Sequence, residues 1–242
     1  MASSTHHEVA RIALSLALAI PCAAGPGAAA AAPADAEVFD TGAGNLLAVL
    51  RESAGENKLD ESLRPYGPLQ ATTAQGQRVQ FETSWYRYLG DMHIRLVFDG
   101  PSTLQSASPD DLTRLQLTPD EALRLAVANL RRVYGVPDVQ PWSGGLMQVK
   151  AAAPELTSSY FLDREFWQAL QNRHPDGLVV AVPRRGGLVY ASARDARAIE
   201  SLRFSAAALY AGGPGARLSS ALYLFKDGRW SVFQAPQPLA DE

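Results

Sequence analysis

The sequence offers almost no thiol chemistry: one cysteine, Cys22, among 242 residues, together with only four histidines. Charge of one sign is equally lacking. The 22 basic residues face 25 acidic ones, so the chain has no overall basic field of the kind that neutralises phosphates in non-specific nucleic-acid binding. Nucleic acid is therefore not an expected partner. Catalytic signatures are missing too: there is no G-x-S-x-G elbow, P-loop, dinucleotide fingerprint, H-E-x-x-H helix or EF-hand loop. Gly212-Gly213-Pro214-Gly215 does not replace a phosphate loop, because it follows an expected helix instead of opening one. Against these gaps, 47% of the residues are apolar, enough in a chain this long to build a core without disulfides or structural metal.

Long hydrophobic runs are scarce. The strongest, Ile12 to Ile20, follows Arg11 and stops at Pro21. It is shorter than the about 20 residues of a membrane span and suits the apolar region of a secretory signal. The Ala/Gly/Pro stretch from Cys22 to Ala36 then offers small-x-small sites at Ala32-Pro33-Ala34 and Ala34-Asp35-Ala36. Residues 1–36 thus read as a signal peptide and processing region, cleaved near 34 or 36, and the product as exported, periplasmic or secreted. Lipid attachment at Cys22 is disfavoured by Pro21 directly before it. Removing Glu8, Arg11 and Asp35 leaves 21 basic and 23 acidic residues, and the mature chain keeps His93 and His174 but no cysteine. Thiol nucleophiles, disulfides and iron–sulfur clusters are thereby excluded. No cofactor, metal site or stable membrane span is expected.

Leu46, Leu47, Val49 and Leu50 form an apolar stripe that predicts a helix over 45–54. A loop-like stretch over 59–76 precedes a strand from Arg78, where Val79, Phe81 and Thr83 alternate with polar residues, and a second strand over 92–98. Ser108-Pro109-Asp110-Asp111 and Thr118-Pro119-Asp120-Glu121 are helix starts: a hydroxyl cap, proline at the first helical position and acids at the positive end. Thr118 and Glu121 also have capping-box spacing. The helix they open is expected to bury Leu123, Val127, Leu130 and Tyr134 and to stop at Gly135.

Beyond it the pattern predicts a strand over 146–150, a loop over 151–158 and a helix over 163–171 that buries Phe166, Trp167 and Leu170. Strands over 178–183 and 188–191 follow, joined by Arg184-Arg185-Gly186-Gly187, then a helix over 195–210 and a closing hairpin turned by Asp227-Gly228. Strand runs interleaved with helices predict an α+β fold, a largely antiparallel sheet with capped helices. It divides into halves at 37–135 and 136–242, or forms one continuous domain over 37–242. Leu96 to Asp111 can be laid on Val180 to Asp195, an offset of 84 residues, which marks the halves as candidates for two related β-hairpin-helix units.

Several patches occur in order between Met92 and Gln234: Ser108-Pro109-Asp110-Asp111-Leu112, Ala128-Asn129-Leu130, Phe166-Trp167, the run Leu178 to Pro183, and Leu224-Phe225-Lys226-Asp227-Gly228-Arg229-Trp230. In this the chain resembles the YtpQ-like family of bacterial proteins, whose function is unknown. The resemblance implies a bacterial α+β protein with no assigned activity and no catalytic residues to carry over. The export signal departs from the family's cytosolic pattern, and residues 37–90 match it only loosely.

No constellation concentrates catalytic residues, so no catalytic residue is assigned. His93, flanked by Met92 and Ile94, shares a strand face with Arg95 and is expected at a surface or rim; as a base it would need partners such as Ser84 and Asp91. His174 lies in the Arg173-His174-Pro175-Asp176 turn. Asp110, Asp111, Asp120 and Glu121 are explained by helix capping. Arg184 and Arg185 at a hairpin tip, joined by Arg194 and Arg197, are candidates to hold a carboxylate or phosphate, against the simpler reading of a solvated turn. Trp142 is a candidate contact residue or a cover over the core. Trp85 and Trp167 read as structural. The first functional expectation is a non-enzymatic exported domain that binds a protein or envelope component. The alternative is a cysteine-independent hydrolase using His93 or His174.

Overall fold

The computed structural model describes residues 40–73, 75–101 and 103–237; the expected signal segment, Cys22 and the expected cleavage sites lie outside them. Its architecture is α+β with antiparallel sheets. The first apolar stripe forms a strand, β1 (Leu46–Glu52), where a helix was expected. Leu46 to Leu50 are all 4% exposed or less. With both faces covered, the strand loses the alternation that would identify it, and a short continuous apolar run reads equally well as helix.

β1 pairs with β6 (Met92–Asp99), which also pairs with β5 (Trp85–Arg87) and, at its far end, with β7 (Leu104–Ser106). The two-residue β2 (Arg64–Pro65) closes this first sheet against β5. At three residues, β5 is too short to carry a periodic signature. β3 (Leu69–Thr72) and β4 (Arg78–Phe81) make a separate hairpin. Phe81, expected to face the core, is 37% exposed there, because that hairpin belongs to neither main sheet.

Both proline-marked helix starts form capping boxes, at α1 (Pro109–Arg114) and α2 (Pro119–Tyr134). The Glu121 backbone N–H donates to Thr118 Oγ1 at 3.3 Å, and the Thr118 N–H returns a bond to Glu121 Oε2 at 2.9 Å. Thr118→Ala removes this cap from an exposed helix end and should lower stability by about 1 kcal/mol in urea denaturation. A loss below about 0.3 kcal/mol would show that α2 is held by packing alone.

The buried face of α2 matches the expected one only at Leu130. Ala122, Ala126, Asn129 and Leu130 face inward, whereas Leu123, Val127 and Tyr134 sit half-buried at its margin. The alanines let the helix approach β1, where Asn129 Nδ2 donates to the carbonyls of Ala43 and Leu46 at 2.9 Å each. A hydrophobic stripe read from large side chains misses a face made of small ones.

The second sheet has six strands: β8 (Asp138–Pro141), β9 (Met147–Lys150), β10 (Leu178–Arg184), β11 (Gly187–Ser192), β12 (Leu222–Lys226) and β13 (Arg229–Gln234), in the order β13-β12-β10-β11-β9-β8. The hairpin turn of Asp227 and Gly228 has φ of 51° and 72°, as a two-residue loop of twisted strands requires. α3 (Arg164–Gln171) buries Phe166, Trp167 and Leu170 as expected, and Asp195 caps α4 (Ala196–Ala211). The expected loop over 151–158 is instead the start of a 3-10 helix, Pro154–Leu162, whose residues from Leu156 onward are buried. At the 84-residue offset, β6–β7–α1 and β10–β11–α4 are each a hairpin leading into a capped helix, but the caps Ser108 and Asp195 do not fall at equivalent positions.

One core cluster runs through both sheets. Phe161 stacks on Trp230 at 4.0 Å between ring centroids and meets Tyr223 edge-on at 5.2 Å. Polar clips add to this: Tyr210 donates to Glu52, Arg164 pairs with Glu61 at 2.5 Å, and Ser219 and Tyr223 donate to Asp91. Gly90 packs so tightly on the Tyr223 ring, at φ +62°, that a Cβ there would collide with it. The 3-10 helix packs on β1. Its Ser158 N–H donates to the Arg185 carbonyl at 3.0 Å, which brings the tip of the β10–β11 hairpin to the first sheet.

Candidate functional site

Antiparallel register puts Arg51 on β1 and Arg87 on β5 directly opposite His93 on β6. Directly opposed residues share a face, so these three side chains form one row. Two residues along β6, Arg95 lies opposite Val49 and Trp85 on that same face. Charge is therefore interleaved with buried apolar residues across three strands.

His93 is 3% exposed, not the rim residue its strand position suggested. The rings of Tyr66 and Trp85 cover it, with centroids at 4.9 and 5.7 Å. Its hydrogen bonds run to Ser53 Oγ from Nδ1 at 3.0 Å and from Arg95 Nε to its Nε2 at 2.9 Å. Neither Ser84 nor Asp91 is a partner: Asp91 is engaged by Ser219, Ser220 and Tyr223.

A serine beside a histidine invites comparison with a nucleophile and its base, but the proton is in the wrong place. Arginine can only donate, so Nε2 must accept, and the neutral ring then carries its hydrogen on Nδ1 and donates it to Ser53. Burial, and then the charges of Arg95 and Arg51, push the His93 pKa down to about 3. A base so placed cannot take a proton from Ser53, and an arginine stands where a triad has its carboxylate.

The guanidinium of Arg95 lies 3.5 Å over the Trp85 ring, and that of Arg87 lies 4.7 Å over Tyr66. Arg87 also pairs with Glu56 at 2.6 Å. Arg51 donates to the carbonyl of Leu50 at 2.7 Å. Among the described residues, Arg51, Arg95 and Arg185 have no carboxylate partner. The charge of Arg185 nevertheless acts on both of the others. Arg51 is pulled down to about 10 by burial, then by Arg185 and Arg95; Arg95 is lowered to about 10 by burial, offset by Tyr66, with Arg185 lowering it further. Arg51 and Arg95 stay charged at neutral pH. The arrangement is a concentration of positive charge, half-buried at Arg51 and Arg95 and exposed at Arg185, with no carboxylate across its forks among the described residues, chemically suited to an anion.

Arg184 and Arg185 are both exposed; the backbone of Arg184 is bridged to Arg217, that of Arg185 donates to Ala216 and accepts from Ser158, and it is the charge of Arg185 that acts on Arg51 and Arg95. Trp142 is half-buried against a second apolar cluster under α4. It follows β8 beside Met147 and Tyr190, at the end of β11 away from the 184–187 tip, so the structure does not bring it to the arginines. His174 is half-buried in the turn between α3 and β10 and shares none of the partners of His93.

Arg51 and Arg95 escaped selection as site residues, although a signal was present. In Met92-His93-Ile94-Arg95-Leu96 and Val49-Leu50-Arg51, charge sits inside strongly apolar runs, where an unpaired cation is costly. Beyond the loop 53–57 lies a cavity of about 420 Å³ with acidic walls, including Glu52, Glu56 and Asp91. No group of three or more His, Cys, Asp or Glu side chains among the described residues is arranged to hold a metal, and no described helix is long and apolar enough to cross a membrane. The patches on which the family resemblance was read occupy structural places here: the cap before α1, Asn129 of α2 bonded to the Leu46 carbonyl of β1, and Trp167 and Trp230 in the core. No family model, curated protein or solved structure matches the chain.

Proposed function

We propose that this chain is an exported, non-enzymatic binding domain that captures an anionic group of an envelope component or partner protein at Arg51, Arg95 and Arg185. The observation that carries the reading is that strand register sets Arg51 and Arg95 around His93 on one sheet face and the 3-10 helix on β1 holds the backbone of the Arg185 tip, with no carboxylate among the described residues paired to any of the three. Half-buried like charges destabilise a fold unless something offsets them, and a ligand anion is the simplest offset. The inverted Ser53–His93 pair weighs against the hydrolase reading for His93. Export rests on the apolar run Ile12 to Ile20 and the small-residue sites after it.

Thermal unfolding in citrate, phosphate and pyrophosphate, against chloride at matched ionic strength, tests the reading. An anion at 100 times its Kd should stabilise the wild type by about 2.7 kcal/mol. The double variant Arg51→Gln/Arg185→Gln should lose that gain, yet unfold in chloride at no lower temperature, because two like charges have been removed. An equal gain in the variant would contradict the reading.

A further inference from the structure

We propose that the Arg51, Arg95 and Arg185 cluster is built for a phosphoryl group carrying two or more negative charges, a phosphate monoester or a pyrophosphate, in preference to a carboxylate. This deepens the anion-binding reading and rests on it. Charge count comes first. The carboxylates around loop 53–57 are already committed: Glu56 to Arg87, Glu52 to the Tyr210 hydroxyl, and Asp91 to Ser219 and Tyr223. A single ligand carboxylate brings one charge and two oxygens, which one guanidinium fork can fill, leaving two of the three cations unbalanced. A phosphoryl dianion brings up to two charges and three acceptor oxygens, so three forks can share it.

Donor geometry points the same way. Arg95 is fixed in place by its stack on Trp85 and its Nε bond to His93, which leaves its two terminal nitrogens to face a ligand. Arg51 is held by the Leu50 carbonyl through one terminal nitrogen only. These two are preset donors on the sheet face. Arg185 is exposed and has no side-chain partner among the described residues, so it is free to close over the group from the hairpin tip. His93 is neutral, with its Nδ1 hydrogen engaged by Ser53; it orients Arg95 and adds no charge. It is a positioning residue.

The same phosphoryl chemistry is found on soluble metabolites and on lipid headgroups, and the test separates them. Isothermal titration of the full chain with pyrophosphate, inorganic phosphate and acetate at fixed ionic strength should show pyrophosphate binding at least tenfold more tightly than acetate. Arg185→Gln should weaken it at least tenfold. Because Arg185 is exposed, that variant should keep the wild-type fold. Arg51→Lys, which retains charge but loses the fork, should weaken pyrophosphate binding. Cosedimentation with phosphatidylcholine vesicles carrying phosphatidic acid, but not with matched phosphatidylglycerol vesicles, would assign the monoester to a lipid; titration without cosedimentation would assign it to a soluble molecule. Acetate binding as tightly as pyrophosphate, through the same arginines, would overturn the phosphoryl preference and leave anion binding standing. No binding of any anion would overturn both.

Discussion

Asp91→Ala is expected to lower the unfolding free energy by about 3 to 5 kcal/mol, because it orphans several buried donors at once. Asp91 is 3% exposed and accepts from the Ser219 hydroxyl, the Tyr223 hydroxyl at 3.1 Å and the Ser220 backbone N–H at 3.3 Å. It sits in the turn between β5 and β6, next to Gly90, and its partners belong to the second sheet. The substitution therefore breaks the clip between sheets as well as a network. Asp91→Asn keeps the size and one acceptor oxygen and should lose less than Asp91→Ala.

Burial, the largest influence, holds the Asp91 carboxyl above the usual carboxylate range, although its three hydrogen bonds favour the charged form. A raised acid contributes stability that is fully present below its unfolded pKa, about 3.9, and is lost as pH rises through the folded value. Urea denaturation of both variants at pH 7 measures the loss. A cost under 1 kcal/mol for Asp91→Ala would mean that the sheets are joined by the aromatic core around Phe161 and the other polar clips, with no measurable share from Asp91.

Acid should destabilise the protein through His93, and the sign is opposite. Its folded pKa is about 3, against about 6.5 for an unperturbed histidine. Above pH 7.5 neither state carries the proton and the group contributes nothing to the pH dependence. As pH falls below 6.5 the unfolded chain takes up a proton that the native state refuses, so stability drops by about 1.4 kcal/mol per pH unit, or about 2 kcal/mol by pH 5. His93→Gln retains an acceptor for Arg95 and a donor for Ser53 but does not titrate. Denaturation midpoints between pH 7.5 and 5 should therefore fall more steeply in the wild type than in His93→Gln. Parallel curves would show that His93 is accessible to protons.

The sequence made local structure legible wherever one short signal decided it. The two capping boxes, the Asp227-Gly228 turn and the buried aromatics of α3 needed only neighbouring residues. β1 was misread because burial on both faces erased its period, and the α2 face was misplaced because Ala122 and Ala126 carry little hydrophobic weight. β8 was hidden within a Pro/Gly-rich passage. The site was half legible. Arg185 stood out as a charged hairpin tip, but Arg51 and Arg95 meet it only through strand register and the 3-10 helix that carries the tip to β1. Those are contacts between segments that are not neighbours in the sequence, and no local pattern encodes them. Trp142 failed as a companion for the same reason, since the direction of β11 sends it to the opposite end.

The central claim is that Arg51, Arg95 and Arg185 form one anion site. Side-chain NMR of the arginine Nε–Hε groups, followed while the full chain is titrated with pyrophosphate at constant ionic strength, addresses it most directly. The account predicts that these three resonances move together and saturate along one binding curve, while exposed Arg229 on β13 stays still. Uniform drift of all arginines, or shifts confined to Arg185 with Arg51 and Arg95 unmoved, would contradict it.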